Sequence, residues 1–248
     1  MDSKKIKFLI MAAGKGTRMD SDLPKALSPL GGKPMIKYLL DTIAQVYDGK
    51  PIVIVGHKAE LIKETLGDTC EYALQKEQLG TGHAVESAKD YCMGAEAVVV
   101  LSGDQPFVKV ATIKKCLEKY EETKAKITFT TTEIPDFLDW RKYFIPLGRI
   151  LRTNNEVVGI REYRDANEIE KEIREINTAC CYVFDANWLW ENIPKIKMNE
   201  TKHEYYLTDL FHIAYEEKEK IETIKMSAEE SMGANSKEDL SLLQKFTN

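Results

Sequence analysis

The sequence has few cysteines, and their number and spacing exclude two common kinds of scaffold. Its 248 residues include five cysteines, an odd number, and none of them forms a Cys-x-x-Cys pair. A disulfide framework is expected to use an even set, and a structural zinc site is expected to use closely spaced pairs. We therefore expect reduced thiols, which are the usual state in the cytoplasm, and a fold held by its apolar core.

Two further absences limit the partners. The formal net charge is −5, from 35 basic and 40 acidic residues, so the chain as a whole does not attract nucleic acid or an anionic membrane. No apolar run approaches the roughly 18 residues of a membrane span, and the apolar stretch near the start is too short for a signal peptide. We predict a cytoplasmic protein without nucleic-acid or membrane partners, in which a local basic site, a metal or both attract any anionic ligand.

Short apolar runs alternate with segments of helical periodicity through the first half of the chain. The predicted strands there are 6–11, 51–55, 72–74 and 97–101, and the predicted helices are 34–47, 59–66, 82–91 and 110–124. In the less regular second half, the predicted strands are 127–132, 157–161 and 180–184, and the predicted helices are 205–217 and 236–246. Such alternation is typical of βαβ units. We predict an α/β fold with one Rossmann-like mixed, mainly parallel sheet, flanked by helices and carrying small β insertions in its second half.

Residues 12–25, Ala-Ala-Gly-Lys-Gly-Thr-Arg-Met-Asp-Ser-Asp-Leu-Pro-Lys, leave the first predicted strand at its carboxyl end. Open α/β sheets bind ligands at that edge, and glycines let backbone N–H groups approach an anion closely. The stretch lacks the third glycine of the dinucleotide-binding fingerprint and the Gly-Lys-Ser/Thr of a P-loop. A phosphate cradle is therefore the favoured interpretation, and a strand-to-helix turn with solvated lysines is the alternative.

The same stretch resembles the signature of the sugar nucleotidyltransferase superfamily, and four later stretches narrow the resemblance. They are 75–84 (QKEQLGTGHA), 101–106 (LSGDQP), 175–178 (EINT) and 204–209 (EYYLTD). Their order and spacing are similar to those of the uridylyltransferase domain of bacterial UDP-N-acetylglucosamine pyrophosphorylases, over nearly the whole chain. The resemblance implies a single nucleotidyltransferase domain over residues 1–248, in which 1–110 mainly bind the nucleotide and 111–235 mainly bind the sugar.

The resemblance also implies roles for particular residues. It makes Arg18 and Lys25 catalytic, through the charge they place on the phosphates, and it makes Asp104 and Asn235 ligands of Mg²⁺. The nucleotide-binding residues that it implies are Ala12, Ala13, Gly14, Lys15, Gly16, Thr17, Gln75, Gln78, Gly80 and Thr81. The sugar-binding residues that it implies are Gly148, Glu162, Asn177 and Thr178.

The chain departs from the family in three places. The hexapeptide repeats of the family's acetyltransferase domain are absent, so we expect no acetyltransferase activity unless this chain is part of a longer bifunctional enzyme. Residues 134–147 form a longer, aromatic stretch than the family usually has, which indicates a lid or an altered wall of the sugar pocket. Ala179 stands where the family usually has glycine. These departures leave the nucleotide chemistry intact and make the identity of the sugar the open question.

We expect an Mg²⁺-dependent uridylyltransferase that makes UDP-N-acetylglucosamine and pyrophosphate from UTP and N-acetylglucosamine 1-phosphate. One alternative is a nucleotidyltransferase of the UDP-glucose or dTDP-glucose type. Another is a catalytically silent nucleotide-sugar sensor, which is expected to have lost Lys25, Arg18 or Asp104. The expected partners are small molecules only, and the sequence predicts no oligomeric state.

Overall fold

The computed structural model describes residues 5–19 and 22–247, which form a ten-stranded mixed sheet, a separate two-stranded hairpin (β2 and β3) and flanking helices. The strands are β1 (Ile6–Met11), β2 (Pro29–Leu30), β3 (Lys33–Pro34), β4 (Ile52–Val55), β5 (Glu71–Leu74), β6 (Ala97–Ser102), β7 (Ile127–Glu133), β8 (Gly148–Thr153), β9 (Glu156–Arg161), β10 (Glu175–Asn177), β11 (Cys181–Asp185) and β12 (Ile221–Met226). The α-helices are α1 (Met35–Ile43), α2 (Ala59–Leu66), α3 (Thr81–Glu86), α4 (Val110–Thr123), α5 (Glu168–Lys171), α6 (Ala186–Asn192), α7 (Asp209–Glu216) and α8 (Lys237–Gln244). Shorter 3-10 helices cover Thr17–Met19, Lys25–Leu27, Gly67–Thr69, Lys89–Cys92, Asp139–Phe144 and Ile193–Lys195. The predicted mixed α/β sheet flanked by helices is confirmed.

The strands of the first half pair in parallel, in the order β5-β4-β1-β6. β4 reads Ile-Val-Ile-Val and β6 reads Ala-Val-Val-Val-Leu-Ser, and all of these side chains except the final serine are buried. Continuous apolar runs of this kind are typical of strands covered by helices on both faces. The loops that leave the carboxyl ends of these strands gather at one edge of the sheet, where α/β proteins bind ligands.

Alternate residues of β6 belong to two different cores. Val99 and Leu101 pack with apolar residues of α1, α2 and α4 on one face of the sheet. Val98 and Val100 pack with residues of α3, α6 and α7 on the other face. Full burial of each such side chain stabilises the fold by roughly 1.5–3 kcal/mol. The loops at the carboxyl edge therefore start from strands that are held on both faces.

The sheet divides in the second half, where β10 and β11 run in succession beside β7. β11 pairs with residues 127–129 of β7, and β10 pairs with residues 132 and 133. On their other side, β11 pairs with β6 and β10 pairs with β8. Ala179, in the break between them, has a φ of +53°, a left-handed conformation that is unfavourable for a residue with a Cβ. Ala179 lines a cavity together with Ser102 at the end of β6 and Gly148 at the start of β8.

A third core joins the aromatic stretch 134–147 to the last helix. Phe144, at the end of the 3-10 helix Asp139–Phe144, is buried together with Met232 and Leu243. The segment that precedes α8 is therefore packed against the aromatic stretch.

Three predicted helices are at least four residues shorter than expected, and the one predicted at 34–47 is α-helical only over Met35–Ile43. The helix predicted at 205–217 begins only at Asp209, because Tyr205 uses its backbone elsewhere: its N–H donates to the Leu79 carbonyl at 2.7 Å, and its carbonyl accepts from the Gly82 N–H at 2.8 Å. The helix predicted at 82–91 is α-helical only to Glu86. Strands β2, β3, β8, β10 and β12 and helices α5 and α6 have no counterpart in the prediction. Among the helices in the described part of the chain, none has the length and apolar character needed to cross a membrane.

Candidate active site

A cavity of about 630 Å³ lies at the carboxyl ends of β1 and β6 and extends to the start of β8. Most of the residues singled out from the sequence line it. These are Ala12, Ala13, Gly14, Lys15, Lys25, Gln75, Gln78, Gly80, Thr81, Asp104, Gly148, Glu162, Asn177, Thr178 and Asn235. The structure therefore brings together stretches that are separated by more than 200 positions in the sequence.

Two described residues of the glycine-rich loop, Gly16 and Arg18, are not among the residues that line the cavity. Gly16 has a φ of +59°, and a Cβ placed there would lie 2.9 Å from Cβ of Lys25, so this glycine lets the Lys25 turn approach the loop. Arg18 is exposed, and its predicted catalytic role stays a prediction. The side chain of Thr17 lies outside what the structure describes.

Three polar side chains meet in the middle of the cavity. The Lys25 Nζ donates to Asp104 Oδ2 at 2.5 Å and to Asn235 Oδ1 at 2.9 Å. Lys25 begins a 3-10 helix after Pro24, and Asp104 follows the end of β6. Asn235 stands directly before the N-cap of α8, and its N–H donates to Asp239 Oδ2 at 2.9 Å.

The pair Asp104 and Asn235 fits a magnesium ion. Both supply oxygen atoms, the ligand type that Mg²⁺ prefers, and both already meet on one cation, the ammonium of Lys25. Within residues 5–19 and 22–247, no group of three or more His, Cys, Asp or Glu side chains could hold a metal. A two-ligand site is consistent with Mg²⁺, which commonly completes its coordination with substrate phosphates and water.

The loop that carries Asp104 is pinned to the segment before α8. The Ala234 N–H donates to the Asp104 carbonyl at 3.1 Å, and a Cβ added at Gly233 would lie 2.9 Å from that carbonyl oxygen. Gln105 Nε2 donates to the Thr178 carbonyl at 2.5 Å and to the Ser231 carbonyl at 3.3 Å. Gln105 therefore ties three chain segments together, a role that the sequence did not indicate.

The predicted base-binding loop is held by its own amides and by one glycine. Gln75 Nε2 donates to the Gly80 carbonyl at 3.0 Å and lies 3.2 Å from His83 Nδ1, which leaves Gln75 Oε1 as an acceptor without a described donor. Gln78 Nε2 donates to the Gln75 carbonyl at 3.2 Å. Gly80 has a φ of +97°, and a Cβ there would lie 2.5 Å from the Tyr205 carbonyl oxygen. This position therefore admits only glycine.

The predicted sugar-binding residues are more buried than the phosphate loop. Burial raises the pKa of Glu162, which accepts a hydrogen bond from the Thr208 hydroxyl at 3.4 Å, and the nearby carboxylates of Asp165 and Asp209 raise that pKa further. The hydroxyl of Thr178 is buried and has no partner among the described groups. A buried hydroxyl without a partner beside a cavity is a position where a ligand can supply the missing bond.

The aromatic stretch 134–147 is a fixed wall of the cavity. Tyr143, Pro146 and Leu147 line the cavity, and the Tyr143 hydroxyl accepts from the Gly233 N–H at 2.9 Å. Arg149 is 1% exposed and donates to the carbonyls of residues 144, 145, 147 and 171. Because a buried guanidinium holds the end of the stretch, we favour the altered wall over the lid. The aromatic content of the stretch was the sequence signal for this wall, although no single residue pointed to Tyr143.

A family model matches the chain, and the curated proteins that it resembles include two GlmU proteins. The model of the MobA-like NTP transferase domain matches residues 8–147. The bifunctional protein GlmU of Exiguobacterium sibiricum is 42% identical over 231 residues, which cover 92% of this chain and 49% of that protein. The bifunctional protein GlmU of Streptococcus mutans is 39% identical over 240 residues, which cover 96% of this chain and 50% of that protein. The chain thus spans about half the length of the curated relatives it matches.

A solved structure of UDP-glucose pyrophosphorylase complexed with UDP-glucose has the same fold. It superposes with a TM-score of 0.76, at 17% identity, over 97% of each chain. At this identity the likeness supports the fold alone, and the identity of the substrate has to be argued from the cavity.

Proposed function

The chain belongs to the family of MobA-like NTP transferase domains, and we propose that it is an Mg²⁺-dependent uridylyltransferase acting on N-acetylglucosamine 1-phosphate. It is a nucleotidyltransferase related at about 40% identity to GlmU proteins. The proposed products are UDP-N-acetylglucosamine and pyrophosphate. In the reaction, an oxygen of the sugar phosphate forms a bond to the α-phosphorus of UTP, and the bond from that phosphorus to the bridging oxygen of pyrophosphate breaks.

The order of the side chains along the sheet carries the proposal. Gln75 follows β5 at one end, the glycine-rich loop follows β1, Asp104 follows β6, and Asn177 and Gly148 lie on β10 and β8 at the other end. This order runs from predicted base site through phosphate site to sugar site, which is the order of the groups in a nucleotide sugar. A single cavity joins all of these positions.

The chain supplies charge and orientation rather than a general base. The attacking phosphate oxygen is already anionic, so the reaction needs no residue to remove a proton. In this proposal, Lys25 stabilises the charge that develops on the transferred phosphoryl group, and the backbone of Gly14 and Lys15, which line the cavity, holds the triphosphate. Preorganised charge of this kind is commonly the largest contribution to catalysis.

Asp104 and Asn235 would hold Mg²⁺, which supplies neutralising charge to the phosphates. Lys25 contacts both of these residues, so the metal site and the catalytic cation share one place in the fold.

The predicted sugar end contains both donors and acceptors. Glu162 provides carboxylate oxygens and Asn177 provides a carboxamide, and both line the cavity. Hydroxyl and acetamido groups of a sugar need such a mixture, since each of them both donates and accepts. Tyr143 and Leu147, both from the stretch 134–147, add apolar surface for a methyl group.

Pyrophosphate release tests the proposal. The assay uses Mg²⁺ and a grid of the nucleoside triphosphates against the 1-phosphates of N-acetylglucosamine, glucosamine, glucose and galactose. We expect one strong signal, with UTP and N-acetylglucosamine 1-phosphate. A strong signal with UTP and another sugar would contradict the sugar assignment but leave the phosphate loop in place. Silence over the whole grid, with UTP still bound, would favour a nucleotide-sugar sensor.

A further inference from the structure

A buried tyrosine fixes the carboxamide of Asn177. The Tyr182 hydroxyl donates to Asn177 Oδ1 at 2.9 Å, and the Ala179 N–H donates to the same oxygen at 3.2 Å. A carboxamide oxygen has two acceptor positions, and both are filled by these donors. No described group bonds Asn177 Nδ2, and the residue lines the cavity at 6% exposure.

The N–H of Ala179 determines which atom of this carboxamide is the oxygen. A backbone N–H can only donate, so the atom that faces the Ala179 N–H must be the oxygen and not the nitrogen of the amide. The amide nitrogen is then the end that remains available to a ligand. Asn177 therefore offers hydrogen-bond donors to the cavity and no acceptor.

Tyr182 cannot easily leave this position. It is 2% exposed on β11, and its ring packs against Phe129 at 6.1 Å, Phe184 at 5.8 Å and Phe211 at 5.8 Å between centroids. Burial raises the pKa of the Tyr182 hydroxyl, so the hydroxyl keeps its proton and remains a donor at all working pH values. The residue that fixes the Asn177 carboxamide is therefore itself held in place by packing in the core.

We propose that Tyr182 is a specificity-determining positioning residue, which restricts the sugar pocket to substrates that present an acceptor oxygen to Asn177. The inference rests on the proposed function. The carbonyl oxygen of an acetamido group meets this requirement. The protonated amine of a glucosamine has donors only and meets the amide N–H groups without any acceptor, so the pocket rejects it.

A double-mutant cycle tests whether Tyr182 acts through Asn177. The variants are Tyr182→Phe, Asn177→Ala and the pair, assayed for pyrophosphate release with one substrate varied while the other is saturating. Tyr182→Phe is expected to raise the KM for N-acetylglucosamine 1-phosphate about tenfold, the effect of one lost hydrogen bond, and to leave the KM for UTP unchanged. In the Asn177→Ala background, Tyr182→Phe is expected to change this KM for N-acetylglucosamine 1-phosphate by less than about twofold, because the carboxamide that Tyr182 positions is gone.

Tyr120→Phe is the matched control. It also removes a buried tyrosine hydroxyl, which donates to the Glu96 carbonyl at 3.0 Å, but Tyr120 lies on α4 and does not line the cavity. It is expected to leave both KM values unchanged. Thermal unfolding of each variant separates a loss of fold from a loss of positioning.

The ligand requirement has its own test, in the ratio of kcat/KM for N-acetylglucosamine 1-phosphate to that for glucosamine 1-phosphate. Asn177→Asp keeps one oxygen on the Tyr182 hydroxyl and turns the other into an acceptor, so this ratio is expected to fall about a hundredfold, because one bond is lost with the acetamido sugar and one is gained with the protonated amine. Tyr182→Phe lets the carboxamide rotate and is expected to lower the ratio less. An unchanged ratio in both variants would overturn the requirement.

The outcomes separate two kinds of failure. If the parent chain releases no pyrophosphate with any of the sugar 1-phosphates, the proposed function itself is contradicted. An active parent in which Tyr182→Phe raises KM equally in both backgrounds contradicts only the positioning role of Tyr182. If Tyr182→Phe fails to fold, the Asn177→Asp ratio decides, because that variant keeps the tyrosine.

Discussion

At the proposed nucleotide end of the cavity the chain relies on backbone and glycine, whereas at the proposed sugar end it relies on buried side chains. Gly16 and Gly80 both have positive φ angles and leave no room for a Cβ. Asn177 and Arg149 instead hold their surroundings by side-chain hydrogen bonds inside the core. A triphosphate presents the same oxygens in every nucleotide, so a backbone cradle suffices, whereas discrimination among sugars needs particular donors and acceptors.

The largest effect is expected at the centre, between the two ends. Asp104→Ala removes the carboxylate of the proposed metal pair, and we expect turnover to fall by about 10³ or more at ordinary Mg²⁺ concentrations. A titration of pyrophosphate release with Mg²⁺ checks this. Asp41→Ala, which removes an exposed carboxylate paired with Lys33, is the control. An Asp104→Ala enzyme with the Mg²⁺ dependence of the parent would place the metal elsewhere.

Two lysines of the nucleotide end are expected to behave differently. Lys25 is partly buried and bonded to Asp104, whereas Lys15 is exposed and no described group bonds it. Lys25→Ala is expected to lower kcat about 10²-fold or more with a smaller change in UTP affinity, because its charge acts in the transition state. Lys15→Ala is expected to raise the KM for UTP and leave kcat nearly unchanged. The rise in KM is expected to be larger at low salt, where exposed charges are screened less. Equal effects of Lys25→Ala on both constants would remove its transition-state role.

At the sugar end, Arg149 is expected to matter for stability. Arg149→Met removes the buried guanidinium and leaves up to four carbonyls without their donor, one of them buried and three partly buried, and we expect the free energy of unfolding to fall by about 3 kcal/mol. Arg152→Met, three residues along the same strand, removes an ion pair with Glu175 at the surface and is expected to lower it by less than about 1 kcal/mol. Urea unfolding of both variants makes the comparison. Equal losses would mean that the aromatic wall does not depend on Arg149.

The same contrast explains what the sequence could predict. The parallel strands β1, β4 and β6 are continuous apolar runs, and the glycine-rich loop has an unusual composition, so both are visible in single short stretches. Tyr182 is one apolar position in a buried strand, and its partner Asn177 is a separate motif. Tyr182 and Asn177 come into contact across the break between β10 and β11 at Ala179. No local sequence pattern predicts that break.

One missed element did have a local signal. β8 and β9 form a hairpin whose turn, Asn154-Asn155, has φ values of +51° and +68°. Two consecutive asparagines between apolar runs are typical of the tight turns that join hairpin strands. β12 had no such signal, because it pairs in parallel with β7 from more than 80 residues away.

The contribution of Glu162 to the free energy of unfolding is expected to depend on pH. Burial raises its pKa in the folded state, so the folded protein binds this proton more tightly than the unfolded chain. The resulting stability is fully present below the unfolded value of about 4.5 and is lost as pH rises through the folded pKa. Glu162→Gln should therefore become more stable relative to the parent as pH rises from about 4.5. Urea unfolding between pH 4 and 8 measures this, with the exposed Glu64→Gln as control, and an advantage that did not change with pH would contradict it.

The smallest expected effect concerns the break in the sheet. Ala179 has a left-handed conformation that glycine adopts without strain, so Ala179→Gly should stabilise the fold by about 1 kcal/mol. Ala44→Gly, at an exposed position with a φ of −58°, should instead destabilise it by roughly 0.5–1 kcal/mol. The Ala179 N–H also holds Asn177 Oδ1, so the two quantities to compare are the free energy of unfolding and the KM for the sugar 1-phosphate. A more stable variant with a higher KM would mean that the strained alanine contributes to holding the carboxamide, whereas a more stable variant with an unchanged KM would assign that orientation to Tyr182 alone.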